Sequence, residues 1–304
     1  MVKNFEGIIS LARKKEKVRL AVAPAQDDLV LKGVEMAKKL NLVVPILVGD
    51  KGKIEAIVEG DELDLVGEEI MDVSDDTEAC YRAIELGLHG KADAVMKGKM
   101  DSACFLRTVL DKKRGLRTDK LVSCISLLED PRAERILYLT DAVVNICPDL
   151  EEKVMIIENA VEFVKVLGIA RPKVAALSAV ELISASIPST IDAACLSKMS
   201  ERGQLGEAIV DGPFALDNLF SIASAQKKSI RSPLMQGWDI LLAPNIETAN
   251  AIYKLLVCLA GYKGIGVFVG TKVQTILLPR ESPPESKLVG IATSILMIKE
   301  MREN

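Results

Sequence analysis

The sequence predicts an α/β protein with largely parallel sheets flanked by helices. Short β-branched runs alternate with amphipathic stretches from one end of the 304 residues to the other, which is typical of strands linked by helical crossovers. Hydrophobic residues make up 49% of the chain and aromatic residues only 4%, so the core must be aliphatic. Aliphatic runs of this kind suit parallel strands buried between helices better than an aromatic-rich sandwich.

Eleven short apolar runs have the composition of strands. They are residues 18–23, 43–49, 69–73, 92–98, 121–126, 135–140, 173–178, 207–212, 238–244, 264–270 and 273–278. Helical patterns lie between them, among others at 27–40, 75–89, 101–111, 150–168, 189–203, 214–225, 246–261 and 283–301.

The number of strands favours two α/β domains, because eleven strands are many for one sheet. The segment 141–153 is interpreted as a crossing between the two halves. We therefore predict a first domain of residues 1–143 plus 284–304, to which the C-terminal helix returns, and a second domain of residues 144–283.

Composition argues against several classes of protein. The formal charge is −4 and no basic cluster is interleaved with aromatic residues, so we expect no nucleic-acid partner. The apolar stretches are too short for a membrane span and the N-terminus lacks a signal-peptide pattern, which predicts a cytoplasmic protein. Six scattered cysteines without a Cys-x-x-Cys pair predict buried free thiols in a reducing compartment.

The single histidine predicts no metal or triad chemistry. His89 stands at the end of a predicted helix, where we expect it to interact with the last carbonyls. The sequence contains no His-Glu-x-x-His pattern and no histidine cluster for a transition metal.

Ligands of parallel sheets bind beyond the carboxyl ends of the strands. The segments that leave those ends carry polar or small residues, and we expect them to converge on a cleft between the two domains. They are 23–28, 96–102, 140–145, 178–186, 210–218, 243–250 and 276–288.

The turn Lys97-Gly98-Lys99 follows a predicted buried strand and precedes a helix. Its glycine would let a ligand approach the backbone, and two ammonium groups beside a helix N-terminus would attract phosphate. It lacks the two-glycine spacing of a Walker loop, so a solvated turn is an equally good interpretation.

Two further loops carry candidate polar side chains. In Asp211-Gly212-Pro213 the Gly-Pro pair predicts a turn after the strand, with Asp217 in the first turn of the next helix. Asn245 and Asn250 stand in a similar way at the start of another helix. Taken singly, each of these residues is also explained as a helix cap.

The stretch "ILLPRESPPESKL" (276–288) places a lone arginine, Arg280, at the end of an apolar run. Either this arginine binds an anion, or the segment is a capped loop with incidental charges.

Taken together, these stretches resemble the phosphate acetyl/butyryltransferase family, and its phosphate butyryltransferase branch most closely. The resemblance rests on "ADAVMKGKMDSACFLRTVLDKKRGLRT", "LYLTDAVVNICPDLEEKVMIIENAVEFVKVLGIARPKVAALSAVE", "RGQLGEAIVDGPFALDN" and "DILLAPNIETANAIYK", and runs over nearly the whole chain. It implies a fold similar to the isocitrate/isopropylmalate dehydrogenases, with the active cleft between two domains.

The resemblance implies transfer of a short acyl group, butyryl or similar, by the reaction acyl-CoA + phosphate = acyl phosphate + CoA. The family mechanism is direct attack of the CoA thiolate in a ternary complex. Coenzyme A would be a substrate, with no covalently bound cofactor and no metal, and the partners would be acyl-CoA, phosphate, acyl phosphate and further copies of the chain in a homodimer or larger homo-oligomer. Acetyl transfer and a weakened CoA- or phosphate-binding relative stay open as alternatives.

The resemblance also implies roles at the end of the chain. In acetyltransferases of the family the segment reads Leu-Ser-Arg-Gly, with an aspartate six residues after the arginine. The arginine matches Arg280, which would bind substrate or stabilise the transition state. The serine falls on Pro279 and the aspartate on Ser286. Ser282 is the candidate replacement for the serine, and Glu285 is the first candidate for the base that ionises the thiol.

The expected phosphate- and CoA-binding residues come from the other matching stretches. They are Lys97, Gly98, Lys99, Arg117, Asp211, Gly212, Pro213, Asp217, Asn245 and Asn250. A second departure from the family is Ser123-Cys124, where a Ser-His pair often stands.

Arg280 and the Lys97-Gly98 turn should face each other across the gap between the domains and neutralise a phosphate together. A decarboxylating dehydrogenase on the same fold is disfavoured, because "APAQDD" (23–28) stands where its early Gly-Asp-Gly-Ile-Gly loop would be.

Overall fold

A computed structural model of the chain describes residues 2–303, with side chains up to residue 298. The fold is mixed α/β, and the chain divides into two compact units. The split unit comprises Asn4–Val122 together with the residues from Ile265 on, and the middle unit comprises Ser123–Gly264 with the residues up to Lys3.

All eleven predicted strands are confirmed, with ends that shift by a few residues. The strands are β1 (Val18–Ala23), β2 (Val43–Gly49), β3 (Glu69–Asp72), β4 (Ala94–Lys97), β5 (Ser123–Glu129), β6 (Ile136–Thr140), β7 (Lys173–Leu177), β8 (Ile209–Phe214), β9 (Ile240–Leu242), β10 (Lys263–Val269) and β11 (Gln274–Ile276).

The predicted helices are also confirmed, and the pattern at 214–225 is divided between two short helices. The helices are α1 (Phe5–Ala12), α2 (Asp28–Lys39), α3 (Lys51–Gly60), α4 (Asp76–Leu88), α5 (Ser102–Val109), α6 (Leu150–Val166), α7 (Pro188–Glu201), α8 (Leu216–Phe220), α9 (Ile222–Lys227), α10 (Ile246–Cys258) and α11 (Pro284–Glu303), with a 3₁₀ helix at Pro233–Gln236.

In the split unit the strand order is β3-β2-β1-β4-β11-β10. Strand β1 pairs in parallel with β2 and β4, and β4 pairs in parallel with β11, while β10 and β11 are antiparallel. The carboxyl ends of β1, β4 and β11 therefore meet at one edge of the sheet, and the loops that leave them lie side by side.

In the middle unit the strand order is β5-β6-β9-β7-β8. Strands β5 and β6 form an antiparallel pair, whereas β6, β9, β7 and β8 are parallel neighbours. The expectation of largely parallel pairing is confirmed for both units.

The predicted domain boundaries at 143 and 283 differ from the limits of the compact units. The β5–β6 pair belongs to the middle unit because β6 pairs with β9, and β11 belongs to the split unit because it pairs with β4. The division into two domains, and the likeness to the isocitrate/isopropylmalate dehydrogenases, stay predictions.

The Gly212-Pro213 pair does not form a turn after the strand, so that prediction is wrong. Both residues continue β8, the last strand in the order of the middle unit. A Cβ at Gly212 would lie 2.7 Å from the carbonyl oxygen of Ala176, so the missing side chain lets β8 lie against β7. A proline is tolerated there because an edge strand needs no N–H donor on its outer side, and the register shifts just beside it.

His89 has the role predicted for it, since its Nδ1 lies 2.8 Å from the carbonyl oxygen of Glu85 at the end of α4. All six cysteines are free thiols. Cys80 and Cys124 are buried as expected, but Cys147 and Cys258 are exposed, so the expectation of burial is wrong for these two. Cys147 lies in a loop and Cys258 at the end of α10.

Across the described part of the chain, no helix combines the length and apolar character that crossing a membrane requires.

Helices α2 and α11 of the split unit touch at Gly33. A Cβ on this glycine would lie 2.6 Å from the Cβ of Lys287 and 3.2 Å from the carbonyl oxygen of Pro284. Glycine weakens an isolated helix, but here it removes the atom that would push the start of α11 away.

Replacing Gly33 with Ala tests this contact. We expect Gly33→Ala to lower the free energy of unfolding by about 1–3 kcal/mol, because the added methyl group overpacks the joint. The matched control is Gly60→Ala in α3, where nothing lies within 4 Å of an added Cβ and alanine should be neutral or stabilising. Urea denaturation of both variants is the measurement, and equal stabilities would contradict the close contact.

Candidate functional site

Three loops leave the carboxyl ends of β1, β4 and β11 in the split unit. The first leads through Pro24 to Asp27, which caps α2 by accepting a hydrogen bond at 3.1 Å from the backbone N–H of Val30. The second leads to Asp101, which caps α5 by accepting from the N–H of Ala103 at 2.9 Å. The third is residues 277–283, ahead of α11. Parallel pairing brings the three loops to the same edge.

Lys97, the last residue of β4, is a buried cation that shapes the second loop. Its side chain is 3% exposed, and its Nζ donates to the carbonyl oxygens of Met100 at 2.9 Å and Gly98 at 3.4 Å. Burial lowers the pKa of Lys97, and the charges of Asp27 and Asp101 partly oppose that effect. The ammonium group of Lys97 therefore stabilises the conformation of the second loop.

Gly98 is required by the close approach of the second loop to the first. A Cβ on Gly98 would lie 1.8 Å from the carbonyl oxygen of Pro24, and the N–H of Lys99 donates to that same oxygen at 2.7 Å. The side chain of Lys99 is exposed at the edge. The predicted position of the Lys97-Gly98-Lys99 turn, after a buried strand and before a helix, is confirmed.

Lys287 holds the third loop in the same way. It is 2% exposed, and its Nζ donates to the carbonyl oxygens of Ser282 at 2.8 Å, Arg280 at 3.2 Å and Pro279 at 3.5 Å. Burial lowers the pKa of Lys287, while the charge of Asp27 raises it. A lysine in the first turn of α11 thus fixes the backbone that carries Arg280.

Arg280 is joined to the first loop through Asp27. Its Nε donates to Asp27 Oδ2 at 3.2 Å, and the arginine side chain stays 57% exposed while that of the aspartate is 4% exposed. Arg280 and the Lys97-Gly98 turn belong to the same compact unit, so the expectation that they face each other from two domains is wrong. The physical reason is the parallel pairing of β11 with β4, which places both loops at one edge.

The other predicted site residues of the split unit are exposed or half-buried. Ser282 is half-buried, with its N–H bonded to the carbonyl oxygen of Pro279 at 3.1 Å, while Glu285 is exposed in the first turn of α11. Glu281, rather than Glu285, is among the charges that act on both buried lysines. Arg117 is exposed and forms an isolated β-bridge with Thr271.

The middle unit has its own polar edge, organised by Asp141. This buried carboxylate follows β6 and accepts hydrogen bonds from the backbone N–H groups of Val143 (2.8 Å), Val144 (3.0 Å) and Cys124 (3.1 Å) and from Asn145 Nδ2 (2.7 Å). Burial raises the pKa of Asp141, and the four donors oppose that effect. The result is a fixed loop at 141–145.

Asn245 and Asn250 belong to the start of α10, which lies against the loop that follows β6. Asn245 caps α10 by accepting from the N–H of Thr248 at 2.9 Å, as the capping interpretation expects. Asn250 Nδ2 donates to the carbonyl oxygen of Ala142 at 3.1 Å, so this side chain supports the Asp141 loop.

Asp211 and Asp217 have structural partners. Asp211, inside β8, accepts from Ser197 Oγ at 2.9 Å. Asp217 lies in the first turn of α8, as predicted, and accepts from the hydroxyl of Ser224 and from Lys228 Nζ at 3.2 Å. These two hydrogen-bonding partners lower the pKa of Asp217.

Ser123 and Cys124 begin the buried strand β5. Ser123 Oγ accepts from Asn159 Nδ2 at 2.9 Å, and the backbone N–H of Cys124 contributes to the Asp141 cluster. Their contacts are therefore those of a strand that supports the loop.

Within the described residues, no three His, Cys, Asp or Glu side chains lie together as a metal ion would require.

The model of one protein family, the phosphate acetyl/butaryl transferases, matches residues 75–280. A phosphate butyryltransferase of Clostridium acetobutylicum is 42% identical to this chain over 297 residues, which is 98% of this chain and 99% of that protein. The chain belongs to the phosphate acetyl/butaryl transferase family. A phosphate acetyltransferase of Thermotoga maritima is 40% identical over 95% of this chain and 98% of its own length.

A solved structure supports the same assignment. The crystal structure of a branched-chain phosphotransacylase from Enterococcus faecalis V583 covers 92% of this chain and 99% of its own, with a TM-score of 0.78 and 27% identity. The resemblance predicted from sequence is thereby confirmed.

Three charged residues that hold these loops were not predicted from the sequence. They are Asp27, Asp141 and Lys287. Asp27 could have been found as a cap in the "QDD" loop. Lys287 stands directly before the apolar run "LVGIATSILMI", where a lysine that is buried needs a specific partner. Asp141 gives no local signal, because its donors come from β5 as well as from its own loop.

Replacing Lys287 with Met tests its hold on the third loop. The variant leaves three carbonyl oxygens without their charged donor, so we expect a loss of about 1–3 kcal/mol of unfolding free energy. We also expect faster amide hydrogen exchange at 279–283. The control is Lys32→Met in α2, an exposed pair with Asp61 at 2.9 Å, which should change stability by less than about 1 kcal/mol. Unchanged exchange in the Lys287 variant would contradict the role.

Proposed function

We propose that this protein transfers a short acyl group between coenzyme A and phosphate, by the reaction acyl-CoA + phosphate = acyl phosphate + CoA. Membership of the family supports the reaction class. The observation that carries the proposal is that Arg280 pairs with Asp27, and that the charge of Asp27 acts on the buried Lys97 and Lys287, at the carboxyl ends of β1, β4 and β11.

The proposed phosphate contacts are the exposed groups of this cluster. The Arg280 guanidinium is held on one side by Asp27 and leaves more than half of the side chain at the surface, where its planar fork suits phosphate. Lys99 is exposed in the second loop, which leaves the same edge of the sheet. The buried Lys97 and Lys287 contribute positive potential and keep the two loops in place.

The proposed chemistry is one direct displacement. The CoA sulfur attacks the carbonyl carbon of the acyl phosphate, a C–S bond forms, and the C–O bond to phosphate breaks with its electron pair going to phosphate. The thiol proton leaves to a base, because only the thiolate is a good nucleophile. Cations at the phosphate stabilise the charge that develops on the leaving oxygen.

The proposal includes the following residue roles as predictions. Glu285 is the proposed base and Ser282 the proposed hydroxyl donor. The other proposed phosphate- or CoA-binding residues are Gly98, Arg117, Asp211, Gly212, Pro213, Asp217, Asn245 and Asn250. Among these, Asn250 acts through the Asp141 loop that it supports.

The acyl group is proposed to be butyryl or of similar size. A phosphate butyryltransferase and a phosphate acetyltransferase are nearly equally similar to this chain, at 42% and 40% identity. The ratio of kcat/KM for butyryl phosphate and acetyl phosphate measures this preference, and a ratio in favour of acetyl would contradict it.

Release and consumption of free thiol provide the direct assay. We expect phosphate-dependent release of CoA from butyryl-CoA, and consumption of CoA with butyryl phosphate. Reduction of NAD with a hydroxy acid would instead indicate a dehydrogenase, and tight CoA binding without turnover would indicate a weakened relative.

Replacing Arg280 with Gln tests the phosphate site. We expect kcat/KM for phosphate to fall about 100-fold, because a charged donor to the transferred group is lost. The control is Arg13→Gln after α1, an exposed residue outside the three loops, which should leave kcat/KM unchanged. Similar values for both variants would overturn the assignment of Arg280.

Pro279 allows a test of the serine that the family pattern places there. Pro279 is exposed, and its carbonyl oxygen is already held by Ser282 N–H and Lys287. We expect Pro279→Ser to raise kcat about tenfold to a hundredfold by adding a hydroxyl donor beside Arg280. Unchanged kcat would mean that another group, such as Ser282, already supplies the donor.

The proposed base is tested by comparing Glu285, in the first turn of α11, with Glu281 in the third loop. We expect Glu285→Gln to lower kcat by about 100-fold or more at neutral pH, with partial recovery at alkaline pH where CoA ionises by itself. Glu281→Gln is the matched control and should retain that part of the pH profile. A Glu285 variant with unchanged kcat would exclude this residue as the base.

Two broader expectations stay proposals. The free thiols suit a reducing compartment, so we propose a cytoplasmic location.

We also propose a homodimer or larger homo-oligomer, in which a partner would cover exposed apolar side chains of the middle unit such as Phe220, Leu255 and Leu259. Sedimentation velocity measures this, and a monomer at micromolar concentration would contradict it.

A further inference from the structure

A cavity of about 350 Å³ lies in the middle unit at the amino ends of β6, β7 and β9. Its volume is at the lower end of the range of about 300–1,000 Å³ that small-molecule sites occupy. Strand β6 runs from Ile136 at the cavity to Thr140 beside Asp141, so the cavity is roughly 13 Å from the Asp141 loop. It is therefore separate from the carboxyl-end loops of its own unit.

The charged groups of the cavity leave an excess of one positive charge. Arg135 Nη2 donates to the carbonyl oxygen of Trp238 at 3.0 Å, and its Cζ lies 4.7 Å from the centre of the Trp238 ring, which fixes the guanidinium. Lys173 is the second cation of the lining. Asp239 is the carboxylate, and its Oδ2 accepts from the N–H of Lys173 at 2.9 Å.

Tyr138 lines the same cavity, and its hydroxyl is shielded from solvent and lacks a hydrogen-bond partner among the described residues. The residue is 1% exposed, and its ring packs edge-on against Phe163 with 6.2 Å between centres. Burial and the charge of Asp239 raise the pKa of this phenol, so it stays protonated and can donate. Buried hydroxyls are normally paired, and a small rearrangement of the lining would let an acceptor in the cavity pair with this one.

Most of the remaining lining is apolar, and Gln236 adds one further polar side chain. Ile136 and Ile169 line the cavity together with the indole of Trp238. A ligand that fits this surface has an acceptor with a negative charge at one end and a short apolar body at the other.

We propose that the cavity binds a small monocarboxylate with a short apolar body. Its carboxylate pairs with Arg135, accepts from the Tyr138 hydroxyl and balances the one excess positive charge. Its apolar part lies against Ile136 and Ile169. Inorganic phosphate would leave the apolar walls unused, and a zwitterionic amino acid would leave the excess charge unbalanced.

Trp238 provides the readout, because it is the only tryptophan of the chain and lines the cavity. Titration of the full chain with butyrate should change its fluorescence saturably, with a Kd in the millimolar range or tighter. Leucine and inorganic phosphate at the same concentrations should not give that change.

Two cavity variants and one control assign the signal. Arg135→Gln should weaken butyrate binding about tenfold or more. Tyr138→Phe keeps the ring and should weaken binding about threefold to tenfold while leaving the protein at least as stable, since an unpaired hydroxyl is removed. The control is Arg132→Gln in the same turn, whose guanidinium lies 5.5 Å from the Tyr262 ring and outside the cavity, and its Kd should be unchanged.

Three outcomes would overturn the proposal. They are the absence of a saturable response to butyrate, an equal response to leucine or phosphate, and an unchanged Kd in Tyr138→Phe. If Arg135→Gln fails to fold, the tyrosine variant decides by itself. The binding measurement needs no turnover, so its result is independent of the proposed acyl transfer.

Discussion

Two buried ammonium groups determine the shape of the candidate site. Lys97 and Lys287 are almost fully buried, and each binds the backbone carbonyl oxygens of the loop beside it. A buried charge is costly unless it is paired and hydrogen-bonded, and here the carbonyl dipoles and Asp27 together provide the pairing. The loops after β4 and β11 have to keep this conformation as long as the lysines stay buried.

This constraint explains why small residues stand where they do. Gly98 lets the second loop touch the carbonyl oxygen of Pro24, and Gly33 lets α11 approach α2 so that Lys287 reaches its loop. The arginine at the edge can then be exposed and still be positioned, because its backbone is held by Lys287 and its side chain by Asp27. A site of this kind is preorganised for an anion before the anion arrives.

Local pattern predicted the elements well, since eleven β-branched runs became eleven strands and Arg280 lies in the loop that follows the last of them. It failed where a tertiary contact decides the outcome. Gly212-Pro213 looks like a turn, but packing against Ala176 keeps it in β8. The partner of Arg280 could not be predicted, because Asp27 is 253 positions away in sequence and only the pairing of β1, β4 and β11 brings the two together.

The most direct measurement of the central claim is a crystal structure of the protein soaked in phosphate. The account predicts a phosphate ion within hydrogen-bond distance of the Arg280 guanidinium and the Lys97–Lys99 turn, with the ammonium groups of Lys97 and Lys287 still on their loop carbonyl oxygens. An ion bound elsewhere, with these loops rearranged or unoccupied at saturating phosphate, would contradict it.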